Sequence, residues 1–217
     1  MDPATIVILA ALIIGLIYGS VGLVSGFCMM SGLRGWWAEG DGRLVRTYAL
    51  AMGIAIAASQ LLAAAGLVDL GKSIYLQPSF SAPVIFLGGL LFGYGMVLSN
   101  GCGSRALVLL GRGNLRSFVV VIVLGIVAEM TLKGLIAPAR IAMVQASQAT
   151  VSANSVPALL AGSGLGAVPA RMVAAAVLSA ILIIFAFAHV PFRKSPGQIA
   201  AGLIVGLLVA GGWYATG

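Results

Sequence analysis

The sequence predicts an all-α polytopic membrane protein with about six spanning helices, short broken or re-entrant helices and a weak internal repeat. Three observations lead there. The 217 residues are 61% hydrophobic and 8% charged, with a mean hydropathy of +1.13, and a soluble domain of that length cannot hide so much apolar surface. Apolar runs near the roughly 20-residue spanning length fall near 4–24, 47–67, 83–99, 117–137, 171–190 and 197–215. Two similar short segments each hold one of the chain's only two cysteines. Residues 1–217 therefore read as a single integral membrane domain.

The first run resembles a signal peptide only superficially. Asp2 precedes it with no Lys or Arg, it is near full spanning length, and no small-x-small cleavage site follows. Residues 25–38 continue past it with Gly26, Gly32 and Gly35 and end in Arg34, Trp36 and Trp37, a pairing suited to the headgroup level. Residues 99–104, Ser-Asn-Gly-Cys-Gly-Ser, are poor helix formers in a row, so a helix is expected to break there. The stretch 138–168 is less apolar. Its first part, 138–150, reads as an amphipathic helix at the outer interface, followed by a loop through Asn154, Pro157 and Gly162; a plain outer loop is the other reading. The 30 glycines fit closely packed transmembrane helices.

Basic residues set the orientation. Arg34, Arg43 and Arg46 follow the first run, Arg105, Arg112 and Arg116 the third, and Arg193 and Lys194 the fifth. All fall on one side of an alternating topology, which predicts that side to be cytoplasmic and the N-terminus outside, in a bacterial inner membrane. The net charge of +7 is scattered through short loops with no basic domain, so nucleic-acid binding is excluded.

The cysteine segments, 17–37 and 91–111, align at one offset of 74 residues: Gly19 on Gly93, Ser25 on Ser99, Cys28 on Cys102 and Leu33 on Leu107. Repeated segments of this kind build paired sites near the bilayer midplane. Broken backbone at membrane depth survives only where protein buries it or where it lines a polar cavity. Cys102 is then expected at a break, beside a helix N-terminus that suits an anion.

The ligand inventory narrows the chemistry. One histidine, His189, stands at the end of a span, too little for an ordinary metal site or a Ser/His/Asp set. Cys28 and Cys102 with Met29, Met30 and Met96 could hold a soft cation such as Cu(I), but the run matches no common copper motif and few acids are near. No metal, no cofactor and no enzyme activity are expected. Passage of a small anion past thiols remains. Thiols are weak S–H donors, Gly and Asn donors lie near Cys102 with Arg105 close behind, and passage needs several weak sites more than one tight one.

Phe27-Cys28-Met29-Met30, and above all Gly93-Tyr-Gly-Met96-x-Leu98-Ser-Asn-Gly101-Cys102-Gly103-Ser-Arg105-Ala-Leu107 with Gly111-Arg-Gly-Asn-Leu-Arg-Ser117, resemble the YeeE/YedE family of sulfur-compound transporters. The resemblance is good over about 10–140 and loose beyond. It implies an hourglass-shaped helical importer of thiosulfate, with Cys28 and Cys102 as relay thiols at a constriction and a TusA-type cytoplasmic sulfur carrier as partner. Some relatives are linked to selenium metabolism. Family members usually add a second half with a third cysteine segment, and this chain has no third cysteine. The resemblance therefore leaves three arrangements: a truncated form, pairing with a second half-subunit or another copy, or a pathway of two thiols.

Ser25, Ser99, Asn100, Gly101, Gly103 and Arg105 join the two cysteines as expected substrate contacts. Asn100 is equally a helix cap; Arg105, Arg112 and Arg116 are equally topology signals. Glu129, an intramembrane carboxylate, has Lys133 four residues on. That pair is either a structural ion pair or a gate or coupling site. Two further classes stay open: a membrane thiol enzyme passing sulfur or selenium covalently to a carrier, and a structural subunit.

Overall fold

The computed structural model describes residues 3–69, 79–147, 149–150 and 167–216. The expected loop through Asn154, Pro157 and Gly162 lies outside the described residues. In chain order the helices are α1 (Pro3–Ser25), α2 (Met29–Glu39), α3 (Arg43–Ala64), α4 (Ala82–Leu98), α5 (Gly103–Gly111), α6 (Leu115–Leu132) and α7 (Ala137–Ala146). They continue with α8 (Ala167–Phe187), α9 (Val190–Arg193) and α10 (Pro196–Thr216). A two-residue antiparallel ladder pairs Ser79–Phe80 with Ala149–Thr150. The fold is all-α, and six helical segments among the described residues are long and apolar enough to span a membrane.

Two of those six segments are interrupted. Residues 4–39 and 82–111 each count as one apolar stretch, broken between α1 and α2 and between α4 and α5. α3 begins at Arg43, four residues before the apolar run; long basic side chains can cover apolar surface while their heads stay in water, so a helix need not start where its apolar run does. α7, Ala137–Ala146, takes the place of the helix expected over 138–150 but ends earlier, and Ala149–Thr150 pairs in the two-residue ladder instead. The chain divides into two compact units, Met1–Ser73 with Val156–Gly217, and Ile74–Ser155.

In the first unit α3 is the central helix, packed against α8 and α10. Small residues allow this approach. A Cβ on Gly202 would stand 3.0 Å from Thr47 O, and one on Gly206 would stand 2.7 Å from both Ala51 O and Ile54 Cβ. Gly53 meets α8 in the same way, with Ile183 Cγ1 at 3.1 Å. The last carbonyls of α8 find donors in arginines: Arg46 Nη1 donates to Phe185 O and Arg193 Nε to Phe187 O. Cations at a helix C-terminus are favoured, and Arg46 also lies 4.6 Å over the Phe185 ring. Leu50, Ala186 and Phe192 form one buried cluster; Phe27, Ala51 and Val205 form another.

In the second unit α5 and α6 form a short antiparallel hairpin. Ser81 and Ser147 hydroxyls lie 2.6 Å apart beside the two-residue ladder. α4 buries none of its side chains within the chain, and Phe86, Phe92 and Leu91 stand well exposed, as lipid-facing surface does.

Candidate functional site

Each cysteine opens a helix just after a break. Cys28 is the N-cap of α2 and Cys102 the N-cap of α5, both with extended backbone. The repeat seen in the residues is also a repeat of conformation. Ser25 Oγ donates to Val21 O at 2.6 Å and Ser99 Oγ to Gly95 O at 2.8 Å, the same four-residue back-bond in each segment. The next residue takes positive φ in both: Gly26 at +65° and Asn100 at +56°. Two residues later comes the cysteine, and the following helix ends at a second positive-φ glycine, Gly40 or Gly113. The local fold therefore reads helix, left-handed residue, cysteine cap, half-helix, glycine turn, twice over.

Asn100 is the one non-glycine residue with positive φ among those described. It closes α4: Asn100 N–H donates to Val97 O at 3.2 Å and Gly101 N–H to Met96 O at 3.0 Å, the paired bonds of a Schellman ending. Asn tolerates this conformation better than other residues bearing Cβ. Its backbone role is thus that of the left-handed residue just past the Ser99 C-cap, with the side chain exposed beside the cysteine.

Cys28 is 3% exposed. Phe27 stacks on Tyr48 at 5.1 Å and meets Tyr18 edge-on at 6.4 Å, while a Cβ on Gly32 would lie 3.0 Å from Val45 N. α2 therefore runs antiparallel to the first turns of α3, and Cys28 stands about one to two turns along α3 from its start. Gln198, absent from the expected site, holds this break. Its Nε2 donates to Ser25 O at 3.1 Å, and its Oε1 lies 2.9 Å from the Oγ1 of fully buried Thr47. Ser25 O is a helix-end carbonyl that would otherwise lack a partner at membrane depth. A cavity of about 550 Å³ reaches Ser25, Arg43 and Gln198 but not Cys28.

Around Cys102 the structure brings together most of the expected residues. Ser99, Asn100, Gly101, Cys102 and Arg105 line one cavity of about 110 Å³, room for roughly three or four waters or one small oxyanion. Gly103 starts α5 beside it. Cys102 Sγ lies 3.0 Å from Ser104 Oγ. The far wall comes from α6 and includes Asn114, Arg116 and Ser117. Asn114 and Ser117 were not expected contacts. Asn114 caps α6, its Oδ1 accepting from Arg116 N–H at 3.0 Å and Ser117 N–H at 3.3 Å; Asn after a glycine turn is the signal that could have marked it.

Arg105 is seated by what Gly101 lacks. A Cβ there would fall 2.8 Å from Arg105 Cδ. Gly101→Ala is expected to push the guanidinium aside and raise the KM of anion uptake roughly fivefold, with melting unchanged. Uptake kinetics beside a thermal melt check this; a fall in melting alone would contradict it.

Glu129 and Lys133 do not form an ion pair. Lys133 is the C-cap of α6, with φ −130°, and its N–H donates to Glu129 O at 3.0 Å. Arg43 and Asp41 form an ion pair at 2.7 Å. The Arg43 guanidinium holds the Asp41 carboxyl below its ordinary value. No group of three His, Cys, Asp or Glu side chains that could hold a metal occurs among the described residues.

The architecture is that of a multi-pass helical membrane protein whose two cysteines cap half-helices at breaks within apolar stretches. A family model described as sulphur transport matches residues 24–217. The chain belongs to this YeeE/YedE sulphur-transport family and is a sulfur-compound transporter. The match takes in α8 to α10, where the motif resemblance is loose. No curated protein matches the chain significantly.

Proposed function

We propose that the protein moves a small sulfur-containing anion, thiosulfate foremost, inward across the bacterial inner membrane, with its N-terminus outside, by way of Cys28 and Cys102. The observation that carries this reading is the repeated break. Two thiols in the same backbone setting, each beside the N-terminal N–H groups of a half-helix, offer two similar weak sites for one soft anion. At Cys102 the Ser99, Asn100, Gly101 and Gly103 segment and the Arg105 guanidinium supply donors and positive potential. At Cys28, Ser25 is the matching neighbour. Glu129 and Lys133, near the C-terminal end of α6, are the proposed gate or coupling groups. A TusA-like carrier would receive the anion in the cytoplasm, and a second half-subunit or another copy would complete the pathway.

Alkylation of Cys102 in the purified protein tests the site directly. Thiosulfate is expected to slow modification of Cys102 by maleimide, and sulfate at equal ionic strength to leave the rate unchanged. Equal protection by both anions would contradict a sulfur-selective site. A persulfide trapped on either cysteine would replace the relay with covalent transfer.

A further inference from the structure

The two cysteine breaks share a backbone path but differ in access. Cys102 lines its cavity, whereas Cys28 is 3% exposed and the cavity of about 550 Å³ stops short of it. A thiol so covered meets a passing anion only when the break moves.

The first break is held unequally on its two sides. The side after it is fixed to α3: Phe27 stacks on Tyr48, and a Cβ on Gly32 would stand 3.0 Å from Val45 N. α3 is in turn locked to α10 through Gly202 and Gly206. The side before it is lighter. Among residues 4–25, Gly22 alone is buried. α1 packs on α10, yet the larger cavity lies between them, lined by Val21 and Val24 of α1 and by Ala201 and Ile204 of α10. The serines that line this cavity keep their hydroxyls local: Ser20 donates to Leu16 O, Ser25 to Val21 O and Ser195 to Pro191 O. Gln198 does cross. Its Nε2 donates from α10 to Ser25 O at 3.1 Å, and its Oε1, 2.9 Å from Thr47 Oγ1, keys the amide to α3. Between the two sides stands Gly26, exposed, at φ +65°, with nothing within 4 Å of a Cβ placed on it. A glycine in open space absorbs a change of φ and ψ without a clash.

We propose that Gln198 is a positioning residue for Cys28: its bond to Ser25 O is a latch that holds α1 over the break, and α1 turns at Gly26 to uncover the thiol when that bond parts. The inference rests on the proposed passage of an anion past Cys28. Cys102 follows the same backbone path with its thiol lining a cavity, so uncovering Cys28 needs no new conformation at the cysteine cap itself.

Labelling of the purified full chain with N-ethylmaleimide tests this without any sulfur anion. Modification of each cysteine is read by peptide mass spectrometry, and Cys102 in the same molecule is the reference. Gln198→Leu is expected to label Cys28 roughly fivefold faster than the parent, and Thr47→Val, which leaves the amide but removes its key, roughly twofold faster. Cys102 rates should be unchanged, and Thr47→Ser, which keeps the hydroxyl, should match the parent at both sites. Equal Cys28 rates in the parent and both latch variants, or the same acceleration at both cysteines, would overturn the latch. Should Gln198→Leu fail to fold, a parent-like Cys28 rate in the isosteric Thr47→Val overturns it alone. Faster Cys28 labelling in a chain that takes up no thiosulfate keeps the latch and removes the substrate assignment; uptake with Cys28 rates unmoved by either substitution removes the latch alone.

Discussion

Gly206→Val is expected to leave no stably folded protein. The added Cβ would stand 2.7 Å from Ala51 O and 2.7 Å from Ile54 Cβ. Both belong to or adjoin the α3 backbone, so no rotamer change relieves the contact. In lipid the helices are held by close packing more than by the hydrophobic effect. Overpacking a site of this kind costs about 1–3 kcal/mol or more, and here it would also part α3 from α10, which carries Gln198 and so the brace on the Cys28 break. Gly211 lies on the same helix, and a Cβ added there would meet nothing within 4 Å, so Gly211→Ala is the control. Thermal melting in detergent should show Gly211→Ala matching the parent and Gly206→Val aggregated or melting far below it. A Gly206→Val protein that melts with the parent would contradict the α3–α10 packing.

Cys28→Ala and Cys102→Ala are each expected to cut sulfur-anion uptake at least about tenfold while leaving the fold standing, a loss of roughly 1.4 kcal/mol or more in transport free energy. Alanine removes the S–H donor but preserves the cap backbone. The Cys28 site, 3% exposed, would gain a small cavity and lose about 1 kcal/mol of stability; Cys102, which already lines a cavity, would lose less. Uptake and melting should therefore separate. Uptake near the parent level in both variants would make the cysteines small buried apolar residues and no more.

Much of this was legible in the chain because bilayer physics is coarse. Spanning runs are set by hydropathy and length, and the break at 99–102 follows from consecutive poor helix formers. The cysteine repeat was visible as identities at one offset, and the structure adds that Gly26 and Asn100 share a backbone state that their differing side chains conceal. Gln198 was not legible: its partner Ser25 lies 173 positions away, and no local pattern encodes such a bond. Asn114 lay within a quoted motif, yet its place on the cavity wall depends on the α5–α6 hairpin closing. The Glu129–Lys133 spacing suggested an ion pair that the structure does not form, although Lys133, the C-cap of α6, keeps its backbone bond to Glu129.

The most direct test of the thiol pathway is uptake of radiolabelled thiosulfate by proteoliposomes holding only the purified chain, beside the Cys28→Ala and Cys102→Ala variants reconstituted to equal density. The expected result is uptake by the parent that both substitutions reduce at least about tenfold. A folded parent that admits no thiosulfate, or variants that match it, would contradict a two-cysteine thiosulfate pathway in this chain.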